Sequence, residues 1–261
     1  MLRALSTAAS GMNAQQIKLD VTANNIANVS TAGFKRSRAE FQDLMYQTLR
    51  APGAVSGQGV TAPSGAQVGL GVRTAATQRS HAEGDLQQTG NPLDLAIEGQ
   101  GFFPVTMPGG GLAYSRAGAF KLNGEGHVVN ADGYSLASEI VIPPEAQSVT
   151  IGADGTVTAT VAGTAAPVEV GKIQLATFAN PAGLAPMGRN LFTETSASGT
   201  AVNGAPGESG IGTLSQGTLE LSNVKVVEEM VDLISGQRAY EVNSRVVKAA
   251  DEMLQQTANL K

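Results

Sequence analysis

The sequence predicts an α+β fold in which an N-terminal and a C-terminal helix pack as a coiled coil and a β-rich middle domain is inserted between them. Three observations predict it: an apolar stripe of helical period at the start of the chain, a second at its end, and alternating residues with turn signals in between.

At the N-terminus, Leu5, Met12, Leu19 and Ile26 recur every seven residues, with Leu2, Ala9 and Ala23 completing the stripe and Gln16 interrupting it. That pattern belongs to an amphipathic helix built to pack lengthwise. Gly11, which costs about 1 kcal/mol against Ala in a helix, and the polar group Thr22, Asn24 and Asn25 weaken it, so the isolated segment is expected to fray. At the other end Leu219, Val226, Leu233, Tyr240, Val247 and Leu254 share the seven-residue spacing, flanked by Val227, Met230, Ile234, Val246 and Met253. Ser222 or Asn223 suits a cap, Glu228 and Glu229 suit the positive end of the dipole, and Glu241 and Arg245 are spaced as a favourable pair. From Val224 to Leu260 the helix would span about 55 Å.

Between the two stripes the period changes. Ser148 to Ile151 and Thr156 to Val161 alternate on either side of a turn at Asp154 and Gly155. Phe120 to Leu122 turns at Asn123 to Gly126 into Val128 and Val129, Asp132 and Gly133 turn again, and Val168 to Val170 runs toward Ile173, Leu175 and Phe178. No helix of convincing length competes between Gly84 and Asn223. Ahead of these strands, Ala51 to Gly71 gathers Pro52, Gly53, Gly57, Gly59, Pro63, Gly65, Gly69 and Gly71 in a low-charge stretch, the composition of a loop, or of a segment ordered between neighbouring subunits. The resulting division is 1–33, an N-terminal helix pairing with 222–261; 34–86, an extended or β linker carrying the stretch 51–71; 87–195, the β-rich domain; 196–221, a return strand or linker; and 222–261, the C-terminal helix.

Composition narrows the function. Charged residues make up 15% of the chain, against about 25% in an ordinary globular protein. Much of the surface is therefore small and uncharged, and a neighbouring subunit covers such surface at low cost in entropy and hydration. A net charge of -5 without any basic, aromatic block excludes a nucleic-acid binder. The absence of Cys removes disulfide and thiolate chemistry and suits an extracytoplasmic destination. The first ten residues make a poor secretory signal, their apolar run being broken by Ser6, Thr7 and Ser10, and no stretch has the roughly 18 apolar residues of a membrane span.

No catalytic, cofactor or metal site emerges. His81 and His127 are the only histidines, lie apart, and are expected at surface or turn positions. Gly133-Tyr134-Ser135-Leu136-Ala137 lacks the second Gly of a nucleophile elbow, and Gly99-Gln100-Gly101 completes neither a dinucleotide fingerprint nor a phosphate loop.

Four runs carry a resemblance. Ala23-Asn24-Asn25-Ile26-Ala27-Asn28-Val29-Ser30-Thr31-Ala32-Gly33-Phe34-Lys35 resembles the signature ending the N-terminal helix of the bacterial flagellar rod and hook family. Asn24, Asn25 and Asn28 can bond backbone where a helix stops, Gly33 permits positive φ, and Phe34 can anchor the exit. Gly90 to Phe103 resembles the family's entry into its β domain, Tyr114 to Phe120 the following strand, and Ser222-Asn223-Val224 with Gln237-Arg238-Ala239-Tyr240-Glu241-Val242-Asn243 its C-terminal helix signature. Length and the run Glu40 to Ala54 resemble the distal rod branch. The resemblance implies a structural, non-enzymatic subunit exported without a cleaved signal peptide and polymerising into a rod of the basal body that crosses periplasm and outer membrane. Its implied partners are further copies of itself, proximal rod proteins, the hook protein, the P- and L-ring proteins, the rod cap and the export apparatus, with neither nucleic acid nor membrane insertion among them. It also implies that the two seven-residue stripes drive polymerisation and that the segment around Pro52, Gly53, Pro63 and Gly65 stiffens the polymer.

Overall fold

The structure, a computed structural model, describes residues 2–53, 55–57, 60–61, 63–161, 166–208 and 210–259. Ala54, Gly59 and Leu260 lie outside the described residues, as does the side chain of Leu2. Contacts divide the chain into two compact units, one formed by 1–27, 37–78 and 225–261, the other by 28–36 and 79–224.

In the first unit, helices α1 (Leu2–Ala27) and α2 (Val226–Asn259) pack lengthwise. They run antiparallel, since Gly11 lies against Asn243, Lys18 against Asp232 and Asn25 against Glu229. The closest approaches fall on a heptad of small and polar residues beside the apolar stripe, which joins the contact where Leu19 meets Gly236. On α1 this heptad runs through Ala8, Gly11, Gln15, Lys18, Thr22 and Asn25, of which Ala8, Thr22 and Asn25 are buried. On α2 it runs through Glu229, Asp232, Gly236, Asn243 and Ala250. Small side chains let the helices approach closely: a Cβ added at Gly11 would stand 3.1 Å from Asn243 Nδ2, and one at Gly236 would stand 3.0 Å from Leu19 Cδ2.

The Pro/Gly stretch is not a plain loop. Strand β1 (Ser37–Asp43) pairs with β6 (Val72–Arg79), and between them β2 (Tyr46–Arg50) pairs antiparallel with β5 (Ala66–Gly69), enclosing the short pair β3 (Val55–Gly57) and β4 (Val60–Thr61). The glycines serve this nested hairpin. Gly53 takes φ +78°, and a Cβ at Gly65 would stand 2.7 Å from the carbonyl oxygen of Arg50. Composition signalled a loop because Gly and Pro mark turns, and the hairpin is made largely of turns and edges.

The second unit is β throughout, apart from a single 3-10 turn at Pro181–Gly183 among the described residues. Its strands are β7 (Leu86–Gln88), β8 (Leu95–Glu98), β9 (Phe103–Thr106), β10 (Leu112–Ser115), β11 (Lys121–Leu122), β12 (Val128–Val129), β13 (Ser135–Leu136), β14 (Ala146–Ile151), β15 (Thr156–Val161), β16 (Val168–Lys172), β17 (Leu175–Thr177), β18 (Ala185–Gly188), β19 (Leu191–Thr193), β20 (Val202–Gly204), β21 (Thr213–Gln216) and β22 (Thr218–Glu220). Seven of them form the main sheet in the order β11-β12-β13-β9-β10-β19-β18. The expected turns at Asp154-Gly155, Asn123 to Gly126 and Asp132-Gly133 join β14 to β15, β11 to β12 and β12 to β13. A core of Leu95, Ile97, Phe103, Phe120, Leu136, Val157, Ile173 and Leu175 fills the interior, with Phe103 and Phe120 edge to face at 5.1 Å. A second cluster gathers Phe102, Tyr114, Phe178 and Phe192.

Two local expectations change. Leu219 belongs to β22, paired with Gln87 of β7, so the C-terminal stripe on a helix begins at Val226. Ser222 Oγ accepts from the amide of Val224, but Asn223 caps nothing; its side chain accepts from Arg36 N and donates to the carbonyls of Ser80 and Ala82. Backbone partners across the chain outcompete the local cap.

Candidate assembly site

The stripe residues flank the contact line between the helices. Leu5, Met12, Leu19 and Ile26 on α1, and Leu233, Val247 and Leu254 on α2, are half-buried, while Ala9 and Ala23 are exposed. Val226 and Tyr240 stand well out, Tyr240 with 41% of its surface accessible. Beyond them, Val227, Met230, Val231, Ile234, Val242, Val246 and Met253 are also exposed. The helix thus hides small and polar groups and leaves many of its large apolar ones accessible, the reverse of a surface helix on a finished monomer. Accessible apolar side chains in this number make a candidate surface for association. Of the remaining signature residues on α2, Arg238 and Glu241 are exposed, and Glu241 forms no ion pair with Arg245 among the described residues. Asn243 is half-buried beside Gly11.

The end of α1 is fastened by its asparagines. Asn25 is buried; its Oδ1 accepts from Ser37 N at 2.9 Å, and its Nδ2 donates to Ser37 O at 2.8 Å and to Glu229 Oε2 at 3.1 Å. One side chain therefore imitates a strand for β1 and reaches the other helix. In the second unit, Asn28 accepts from the Thr31 hydroxyl at 3.2 Å, and Phe34 is buried beneath the guanidinium of Arg79. Gly33 takes φ +70°, where a Cβ would stand 2.5 Å from Ala117 N. Asn24 is exposed. Pro52, Gly53 and Pro63 are exposed at the hairpin turns, and Gly65 is half-buried.

A buried clasp completes the second unit, and the sequence reading had assigned it no role. Glu220 accepts from Lys35 Nζ at 2.6 Å, from Arg116 Nε at 2.6 Å and from Gly84 N at 2.9 Å. Arg116 also donates to the carbonyls of Ile97, Gly99 and Gly101, and Lys35 to that of Ala82. Burial raises the Glu220 pKa, but Arg116 and Lys35 override it and hold the carboxyl below its ordinary value; burial lowers that of Lys35. Three separated stretches are thereby joined at one carboxylate. A signal existed, since Lys35 and Arg116 sit inside two of the signature runs, and a charge fixed within an apolar motif commonly has a buried partner.

His81, expected at a surface or turn position, lies outside the strands and is half-buried, its ring edge-on to Phe102 and Phe192, each at 5.5 Å. The described residues hold no group of three potential metal ligands and no helix long and apolar enough to cross a membrane.

Comparison with known proteins matches three family models: flagella basal body rod protein over residues 5–35, flagellar hook protein FlgE/F/G D1 domain over 96–159, and flagellar basal body rod FlgEFG protein C-terminal over 215–260. The chain is 50% identical over 261 residues to the flagellar basal-body rod protein FlgG of Caulobacter vibrioides, covering 100% of both. It is 50% identical over 253 residues to that of Agrobacterium fabrum, covering 97% of both. It is 30% identical over 268 residues to the flagellar hook-basal body complex protein FlhP of Bacillus subtilis, covering 97% of both. The matched stretches include both helices, the clasp residues Lys35, Arg116 and Glu220, and the entry to the β unit, and the full-length likeness leaves no part of the chain outside it: this protein belongs to the flagellar basal-body rod and hook family.

Proposed function

We propose that this chain is the structural subunit of the distal rod, self-assembling into a helical tube that acts as a rigid drive shaft and carries motor torque to the hook. The observation that carries this reading is the number of large apolar side chains left accessible along α2, a 34-residue helix on which Met230, Ile234, Tyr240 and Val246 each keep two-fifths or more of their surface exposed. In this reading 1–33 and 222–261 are the polymerising helices, 34–86 the linker with its stiffening segment at 51–71, 87–195 the β-rich domain and 196–221 the return strand. Contacts made head to tail do not close on themselves and so extend into a helix of subunits. The subunit is exported without a cleaved signal peptide and orders its ends on joining the tube, the cost of ordering being offset by the apolar area covered. The tube crosses periplasm and outer membrane, and its neighbours are proximal rod proteins, hook protein, P- and L-ring proteins, rod cap and export apparatus. The subunit performs no catalysis.

The test is assembly of the purified chain. Light scattering should rise steeply above a threshold concentration, and electron microscopy should show straight tubes. Curved tubes would favour a hook subunit, and a monomer at all concentrations would reject the reading.

A further inference from the structure

The segment 79–84 of the second unit carries an unusual load. Arg79 lies over the rings of Phe34 and Phe192, His81 is wedged between Phe102 and Phe192, the carbonyl of Ala82 accepts from Lys35, and the amide of Gly84 donates to Glu220. His81 Nδ1 is buried and has no hydrogen-bond partner among the described residues. The charges around the ring are unbalanced: Lys35, Arg79 and Arg116 face it, against the carboxylates of Glu220, already shared by two of these cations, and of Glu83. A cavity of about 420 Å³, lined by His81, Lys35, Phe102, Arg116 and Pro181 among others, adjoins the ring.

We propose that residues 79–84 form an acid-released strap, in which protonation of His81 drives its ring out from between Phe102 and Phe192 and frees the backbone that ties Lys35 to Glu220. An imidazolium must donate from both nitrogens, and at this position buried Nδ1 has no acceptor among the described residues while Lys35, Arg79 and Arg116 oppose the added charge. The proton is therefore disfavoured while the ring stays between the aromatics, and the adjoining cavity gives the ring room to move. Moving the ring displaces Ala82 and Gly84 with it, so the clasp loses two of its backbone contacts in the same event.

Burial first, and then the charges of Lys35, Arg79 and Arg116, push the His81 pKa down to about 4. A histidine whose folded pKa lies below its unfolded value leaves the unfolded chain as the better proton binder. Stability is therefore whole above the unfolded pKa of about 6.5 and falls progressively as pH drops toward the folded value. Between about pH 7 and pH 5, His81 alone should raise the unfolding equilibrium constant roughly twentyfold. Glu220 acts lower, because its depressed carboxyl is lost only below the ordinary carboxylate range, so the two windows separate.

The experiment is urea unfolding of the full chain followed by tyrosine fluorescence at several pH values, for the native protein, His81→Gln and His127→Gln. The native protein and His127→Gln should share the roughly twentyfold loss, and His81→Gln should lack it. Equal pH dependence in all three would overturn the strap. Proton NMR of the native chain decides independently, even where His81→Gln fails to fold. One of the two imidazoles should titrate well below the ordinary histidine value; the absence of any such depressed titration would overturn the proposal.

Discussion

Glu220 keeps 2% of its surface accessible while accepting from two cations and a backbone amide, so its removal leaves Lys35 and Arg116 buried without a counter-charge. Breaking such a pair costs about 3–5 kcal/mol. Glu220→Gln is expected to lower the stability of the β unit by that amount in urea unfolding, and a loss below about 1 kcal/mol would show that the clasp is incidental. The carboxyl sits below its ordinary pKa when folded, so its contribution is present above the unfolded value and is lost as pH falls through the folded one. Gly33 makes a second case. Its φ of +70° and the nearby Ala117 amide leave no room for a side chain, and Gly33→Ala should cost about 1–3 kcal/mol from backbone conformation alone, with the clash adding to it. Both positions were partly legible. Gly33 could be read as a positive-φ residue from its place after a helix, whereas the meeting of Lys35 with Glu220, 185 residues apart, was not written in any local pattern.

At the scale of elements, the heptad stripes identified both helices, but the line along which they touch was hidden. Any face of a helix repeats with the same period, and the face chosen here is the one whose Gly11, Ala8, Gly236 and Ala250 permit close approach. A wedge on that line should separate the helices: Gly236→Val is expected to destabilise the first unit by about 1–3 kcal/mol, read as lost helical circular dichroism, while leaving the β unit intact. Tyr240→Ala tests the edge of that line, where the side chain keeps 41% of its surface accessible. Polymerisation should weaken more than monomer stability; equal loss of both would make it an ordinary core residue. The hairpin from β2 to β5 has all five residues of β2 exposed, and a lone two-stranded hairpin is marginal in water. Its proposed role between neighbouring copies predicts that deleting residues 51–71 yields curved or flexible tubes, with an unchanged straight tube rejecting it.

For the molecule as a whole, the division into a unit of two helices with a nested hairpin and a β unit predicts that the second stands without the first. Deleting residues 1–30 should leave β circular dichroism and cooperative unfolding in place while abolishing tubes; tubes formed by the shortened chain would exclude α1 from assembly. The sequence by itself determined the α+β class, the terminal helices, the hairpin turns and the family, because periodicity and turn chemistry are local and the signature runs are contiguous. Tertiary structure alone decided which helix face lies inside, that the Pro/Gly stretch closes into a nested hairpin, that Lys35, Arg116 and Glu220 share one buried site, and that His81 packs edge-on to two aromatic rings. Each of these depends on groups far apart in sequence, and the energy of close packing or of a buried charge belongs to the pair rather than to either residue.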